Sequence, residues 1–160
     1  MGMRAPSLYS YFSSKNAIYD AMFAQGAHEF LRVQSTLALS GDPLADVRLC
    51  LHLFARFCTQ DPARYQLMFQ RTIPGFEPSP ESFALSVRGL EGVRQLLQTS
   101  GITDPAAMDL LTAIGTGLID QQLSNDPGGD RWLRLIDEAA EMFVTHQANR
   151  RRTEQRSAHS

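Results

Sequence analysis

From residue 15 onward apolar residues recur every three or four positions, and no stretch alternates two by two over a strand's length, so the pattern predicts helices throughout. Ser13 and Ser14 offer an N-cap for a long helix over about residues 15–39, carried by Ile18, Met22, Phe30, Val33 and Leu37 and ended by Gly41. Asp42-Pro43 opens the next helix: an acceptor side chain, then a residue that needs no N–H partner. Its apolar stripe is Leu44, Val47, Leu51, Phe54 and Cys58. Asp61-Pro62 repeats the device for a short helix to Phe69, Ser79-Pro80 for one to about residue 98, and Asp104-Pro105 for one to about residue 123. Three prolines and a glycine make residues 73–80, IPGFEPSP, a loop. SNDPGGD breaks the chain before a last helix over about residues 131–149, with Trp132, Leu135, Ala139 and Phe143 on one face. The polar tail, residues 150–160, is expected to be disordered. At the other end, residues 4–11 read as a short helix, with Pro6 tolerated in its first turn.

A chain of 160 residues, 43% hydrophobic and 20% charged, suits one soluble domain or one domain with a fragment of another. A net charge of -2 argues against a general nucleic-acid coat, but not against a DNA reader with its positive charge on one face. Cys50 and Cys58 are too few for a disulfide scaffold and are expected as small buried hydrophobes. No apolar run has membrane-spanning length and no signal-peptide order opens the chain, so a cytoplasmic protein without membrane contact is expected. His28, His52, His146 and His159 are scattered, and Cys50 and His52, two apart on a helix, point to different sides. Neither an enzyme nor a cofactor or metal site is therefore expected.

The most specific signal is the opening segment, GMRAPSLYSYFSSKNAIY at residues 2–19. It resembles the end of the helix-turn-helix of TetR-type transcriptional regulators: a turn Gly, a hydrophobic residue, a short recognition helix, Leu-Tyr-x-(His/Tyr)-Phe, two or three polar residues, Lys, and a long apolar helix. Here these are Gly2, Met3, Arg4 to Ser7, Leu8-Tyr9-Ser10-Tyr11-Phe12, Ser13-Ser14, Lys15 and the helix bearing Ile18. Leu8 and Phe12, four apart, can anchor a short helix, and Tyr9 and Tyr11 leave hydroxyls for phosphate oxygens. Lys15 stands in a helical first turn, where free amides also favour an anion. The resemblance implies that Arg4, Ala5, Pro6 and Ser7 meet base edges and that Tyr9, Tyr11 and Lys15 contact the DNA backbone. It also implies that roughly thirty residues, the first helix and most of the second, are missing from the reader. A start codon set too late and a real truncation compete to explain this; the intact motif favours the first. Either way the chain as it stands is expected to bind DNA poorly, and operator DNA is a partner once the missing helices are restored.

The fold expected is therefore all-α: a helix-turn-helix remnant at residues 1–20, a TetR-like ligand-binding and dimerisation helical domain at 21–149, and the tail. Aromatic residues and methionines crowd residues 19–83, and such side chains can line a pocket for a small, mostly apolar ligand. The candidates are Phe54, Phe57, Tyr65, Met68, Phe69 and Met108, with His52, Arg64 and Gln66 as possible polar contacts. Gly115 and Gly117 suggest the close approach of another helix, since glycine costs up to about 1 kcal/mol within a helix. The resemblance implies a homodimer built from the last two helices through Leu111, Ile114, Gly115, Leu118, Trp132, Leu135, Ile136, Ala139 and Phe143. Asp137, Glu138 and Glu141 read as a solvated face. The function implied is a ligand-responsive regulator, most often a repressor; the alternative is a DNA-binding-deficient dimerisation or small-molecule-binding module left by truncation.

Overall fold

The computed structural model describes residues 13–157, among which there are six α-helices and no strand. They are α1 Lys15–Gln34, α2 Pro43–Gln60, α3 Pro62–Phe69, α4 Pro80–Thr99, α5 Pro105–Asn125 and α6 Ile136–Ser157, the last entered through a 3-10 turn at Leu133–Leu135. The all-α expectation holds over these residues. Arg4, Ala5, Pro6, Ser7, Tyr9 and Tyr11 lie outside them.

Four helices begin with proline, and each has a side-chain acceptor immediately before it. Asp42 accepts from the Ala45 N–H at 2.7 Å, Asp61 from Arg64 at 3.0 Å, Ser79 from Ser82 at 3.2 Å and Asp104 from Ala106 at 3.0 Å. Proline sets φ and lacks an N–H, so the first turn leaves one fewer donor to satisfy, and the cap takes another. At its other end α4 closes in a Schellman turn. Gly101, at φ +72°, donates to Gln98 at 2.9 Å, and buried Ile102 donates to Leu97 at 2.8 Å.

α1 lies chiefly along α4, and α2 along α6; α3 fills in against α1, and α5 against α2. Glycines permit the first contact: a Cβ on Gly89 would meet the Phe30 ring at 3.1 Å, and one on Gly92 the Gln34 amide at 2.9 Å. The core centres on α2, where Val47, Leu51, Phe57 and Cys58 meet Tyr65, Leu111, Ile119, Ile136 and Phe143.

Three expectations about the elements are corrected. α1 stops at Gln34 rather than near residue 39, because the Ser35 and Thr36 hydroxyls donate to the carbonyls of Arg32 and Val33 at 2.7 Å each and compete with the helical pattern. Leu37 thus lies beyond the helix. α6 starts at Ile136, later than expected, because Gln122 draws the preceding turn inward, its side-chain oxygen accepting from the Trp132 N–H at 2.9 Å. It also runs on to Ser157, through most of the tail expected to be disordered. There Arg150 pairs with Asp104 at 2.5 Å and Arg151 donates to the Gly101 carbonyl at 3.0 Å. The domain boundary expected at residue 20 lies along α1, the long helix expected from residue 15.

Candidate ligand cavity and its strap to the first helix

An open cavity of about 690 Å³ lies between α1, α2, α4 and α5. Its walls are mostly apolar. α1 gives Phe23, Ala27 and Phe30; α2 gives Cys50, Leu51, Leu53 and Phe54; α3 gives Leu67, Met68 and Phe69. α4 contributes Phe83, Leu85, Leu90 and Val93, and α5 gives Met108, Leu111, Thr112 and Thr116. Leu37 closes the wall from beyond the end of α1. The volume falls within the range of about 300–1,000 Å³ usual for small-molecule sites.

Of the six expected ligand contacts, Phe54, Met68, Phe69 and Met108 line this space. Phe57 and Tyr65 do not: they are buried one layer behind it, at 2% and 1% exposure. Phe57 stacks edge-on against Phe30 with centroids 5.1 Å apart, and Tyr65 lies 5.7 Å from Phe69. The Tyr65 hydroxyl donates to Asp120 at 2.7 Å, and burial together with that carboxylate holds its pKa above the ordinary tyrosine value. None of the three expected polar contacts lines the cavity. His52 bonds Asp137 at 2.8 Å on the outer surface, Arg64 lies over the Phe57 ring and donates to the Phe57 carbonyl at 2.7 Å, and Gln66 is exposed. Sequence reasoning missed the α4 wall, although its apolar residues had the same helical spacing as the stripes it did use.

The loop between α3 and α4 is the wall nearest the start of the chain. Gln70, Arg71, Ile73, Phe76, Glu77 and Pro78 all line the cavity. The same loop is held by the first turns of α1. Phe76 stacks edge-on against Tyr19 with centroids 5.6 Å apart, and Asn16 reaches the Gly75 carbonyl at 3.4 Å. The strongest tie is Asp20, which accepts from the Ser79 N–H at 2.7 Å and from the hydroxyls of Ser79 and Ser82 at 3.0 Å each. Burial alone would raise the pKa of this carboxyl, but the three hydrogen bonds outweigh it and hold the group below its ordinary value.

No family model, no curated protein and no solved structure matches the chain. What the site can do therefore follows from its own chemistry. Burial pushes the Cys50 thiol up to about 11 and the Cys58 thiol higher still, so neither is a thiolate near neutrality and neither is a ready nucleophile. Among the described residues no group of three His, Cys, Asp or Glu side chains is placed to hold a metal ion, and no helix is long and apolar enough to cross a membrane.

The residues expected at a dimer interface divide sharply. Leu111, Gly115, Ile136 and Phe143 are interior to the single chain and are not available to a partner. A Cβ on Gly115 would meet Leu51 at 3.3 Å, so the close helix there is the chain's own α2. Ile114, Leu118, Trp132, Leu135 and Ala139 are half-buried. At Gly117, by contrast, an added Cβ would meet nothing within 4 Å, and beside it on α5 Leu110 and Ala113 are exposed, as is Met142 on α6. Asp137, Glu138 and Glu141 are exposed as expected, and on that surface Asp137 bonds His52 and lies 3.9 Å from Arg48, which is also 3.8 Å from Glu141. Lys15, the one expected DNA contact that is described, is exposed at the first position of α1.

Proposed function

We propose that the chain is the ligand-sensing and dimerising part of a TetR-type transcriptional regulator, with the cavity as its effector site. The observation that carries this reading is the double use of residues 70–79. They wall the cavity and are bonded to Asn16, Tyr19 and Asp20 on the helix that directly follows the recognition-like segment. A ligand that presses on this loop pulls on the start of α1. Lys15, and beyond it the segment resembling a recognition helix, would move with that start.

A dimer completes the device, because two recognition helices must sit about 34–36 Å apart to enter successive major grooves. We read Leu110, Ala113 and Gly117 of α5 with Met142 of α6 as the face of that dimer. It lies on the outer side of the two helices already expected to form it. Coupling is reciprocal: whatever affinity for DNA the ligand removes, DNA removes from the ligand.

The deciding experiment is selection of bound duplexes from a random-sequence DNA library, using both this chain and the chain extended upstream in frame. Enrichment of a palindromic site by the extended chain is the expected result. No enrichment by either chain would overturn the DNA-binding reading and leave a dimerising small-molecule module. The strap has its own test. Amide exchange at residues 15–20 is expected to change when 2-acetonaphthone fills the cavity of the unaltered chain, and to respond at least several-fold less in Asp20→Ala. An equal response in both would remove Asp20 from the coupling.

A further inference from the structure

The chemistry of the cavity wall defines its ligand more narrowly than size and apolarity do, provided that the cavity is an effector site. Most polar groups in the wall already have partners within the chain. The Thr112 and Thr116 hydroxyls donate to the carbonyls of Met108 and Thr112, each at 2.8 Å. The Gln34 amide donates to the Gly89 carbonyl at 3.0 Å, and the Gln70 amide to Asp120 at 2.7 Å. Of the three hydroxyls in the wall, that of Ser86 alone makes no hydrogen bond among the described residues.

Charge is as sparse. The wall holds one cation, Arg71, and one anion, Glu77. Both are exposed, both sit on the same short loop, and their opposite signs give the mouth no net preference. The aromatic rings do not make up the difference for a cation. Phe30, Phe54 and Phe69 stand edge-to-face with centroids 5.2 to 6.3 Å apart. At that spacing these three rings pack against one another and do not form an open cage around a cation. An ionised group carried inside would lose its water and gain no partner, which is costly.

We propose that the cavity takes an uncharged, largely apolar molecule bearing a hydrogen-bond acceptor, which Ser86 meets with its free hydroxyl. An aryl ketone or a similar neutral carbonyl compound fits this description; fatty acids, amines, amino acids and sugars do not. Ser86 here sets specificity and is not needed for the fold, since it is half-buried and unbonded within the described residues.

Equilibrium dialysis of the whole chain against four probes of one shape tests this: naphthalene, 2-acetonaphthone, 2-naphthoate and 2-naphthylmethylammonium. The ketone is expected to bind best, the hydrocarbon next, and each ion at least tenfold more weakly than the ketone. Ser86→Ala is expected to weaken the ketone by about threefold to tenfold, the worth of one neutral hydrogen bond, and to leave naphthalene unchanged. Its thermal unfolding should match that of the unaltered chain, which separates a lost contact from a damaged fold. If 2-naphthoate binds as well as the ketone and loses that affinity in Arg71→Ala, the site is for an anionic amphiphile; the inference then fails while the effector-site reading stands. If 2-naphthylmethylammonium does so through Glu77, the inference fails in the same way. Binding of none of the four overturns both.

Discussion

Asp46 is only 4% exposed, yet it carries its charge comfortably. Its carboxylate accepts from the Ser40 N–H at 2.7 Å, the Ser40 hydroxyl at 2.9 Å and the Gly41 N–H at 2.9 Å, tying the link after α1 to the first turn of α2. The bond from the Ser40 N–H does most to lower its pKa, opposed by burial and assisted by the other two. As pH falls, the unfolded chain therefore takes up this proton before the folded one does. The stability that the charge contributes is complete above the ordinary aspartate value of about 3.9 and is lost as pH falls through the lower native value. Asp46→Ala strands two backbone donors and should cost about 1–3 kcal/mol at pH 7. In urea titrations the gap between the two chains should narrow steadily from pH 5 to pH 2; a gap independent of pH would show that the charge plays no part.

At the scale of elements the four proline-led helix starts were legible, and so were the ends of α3, α4 and α5 to within two residues, whereas the end of α1 and both bounds of α6 were not. Pro43, Pro62, Pro80 and Pro105 each fix a helix start on the expected residue, because cap and proline act through neighbours in sequence. The end of α1 depends on two hydroxyls that can serve either helix or turn, and the end of α6 on Arg150 and Arg151 reaching Asp104 and Gly101 some fifty residues away. Long-range partners of that kind leave no local pattern. The cavity shows the same division. Phe54, Met68 and Phe69 announced themselves as bulky and adaptable, but nothing local separates Phe57, which supports the wall, from Phe54, which forms it. Gly101 allows a sharp test of the α4 terminus. Its φ of +72° disfavours any side chain, and an added Cβ would come within 2.5 Å of the Arg151 guanidinium. Gly101→Ala should destabilise the chain by about 1–2 kcal/mol and increase amide exchange in residues 150–157; unaltered exchange there would mean that α6 holds its last turns without α4.

On the scale of the whole molecule, the outer face of α5 and α6 is the face proposed for the dimer. The proposed dimer predicts a particle of twice the chain mass by light scattering. Gly117→Arg should reduce it to a monomer with little change in the chain's own fold, because an added Cβ there meets nothing within 4 Å. Leu111→Ala is the contrasting variant: Leu111 is 3% exposed inside the chain, so its truncation should cost about 2–5 kcal/mol of stability whatever the assembly. A monomeric unaltered chain would leave the α5 face without the role assigned to it.

The position of the α3–α4 loop also bears on how the proposed sensor could be re-engineered. Ile73, Phe76 and Pro78 face the cavity while their neighbours Gly75 and Ser79 hold α1, so on the proposed reading an edit made there to admit a new compound would also alter the coupling to α1. Met108, Thr112 and Thr116 face the same space from α5, whose bond to the loop is made at Asp120 with Gln70, away from the contacts that bind the loop to residues 16–20. A biosensor designer who wants a changed appetite with an unchanged response should begin on α5 and leave the loop alone.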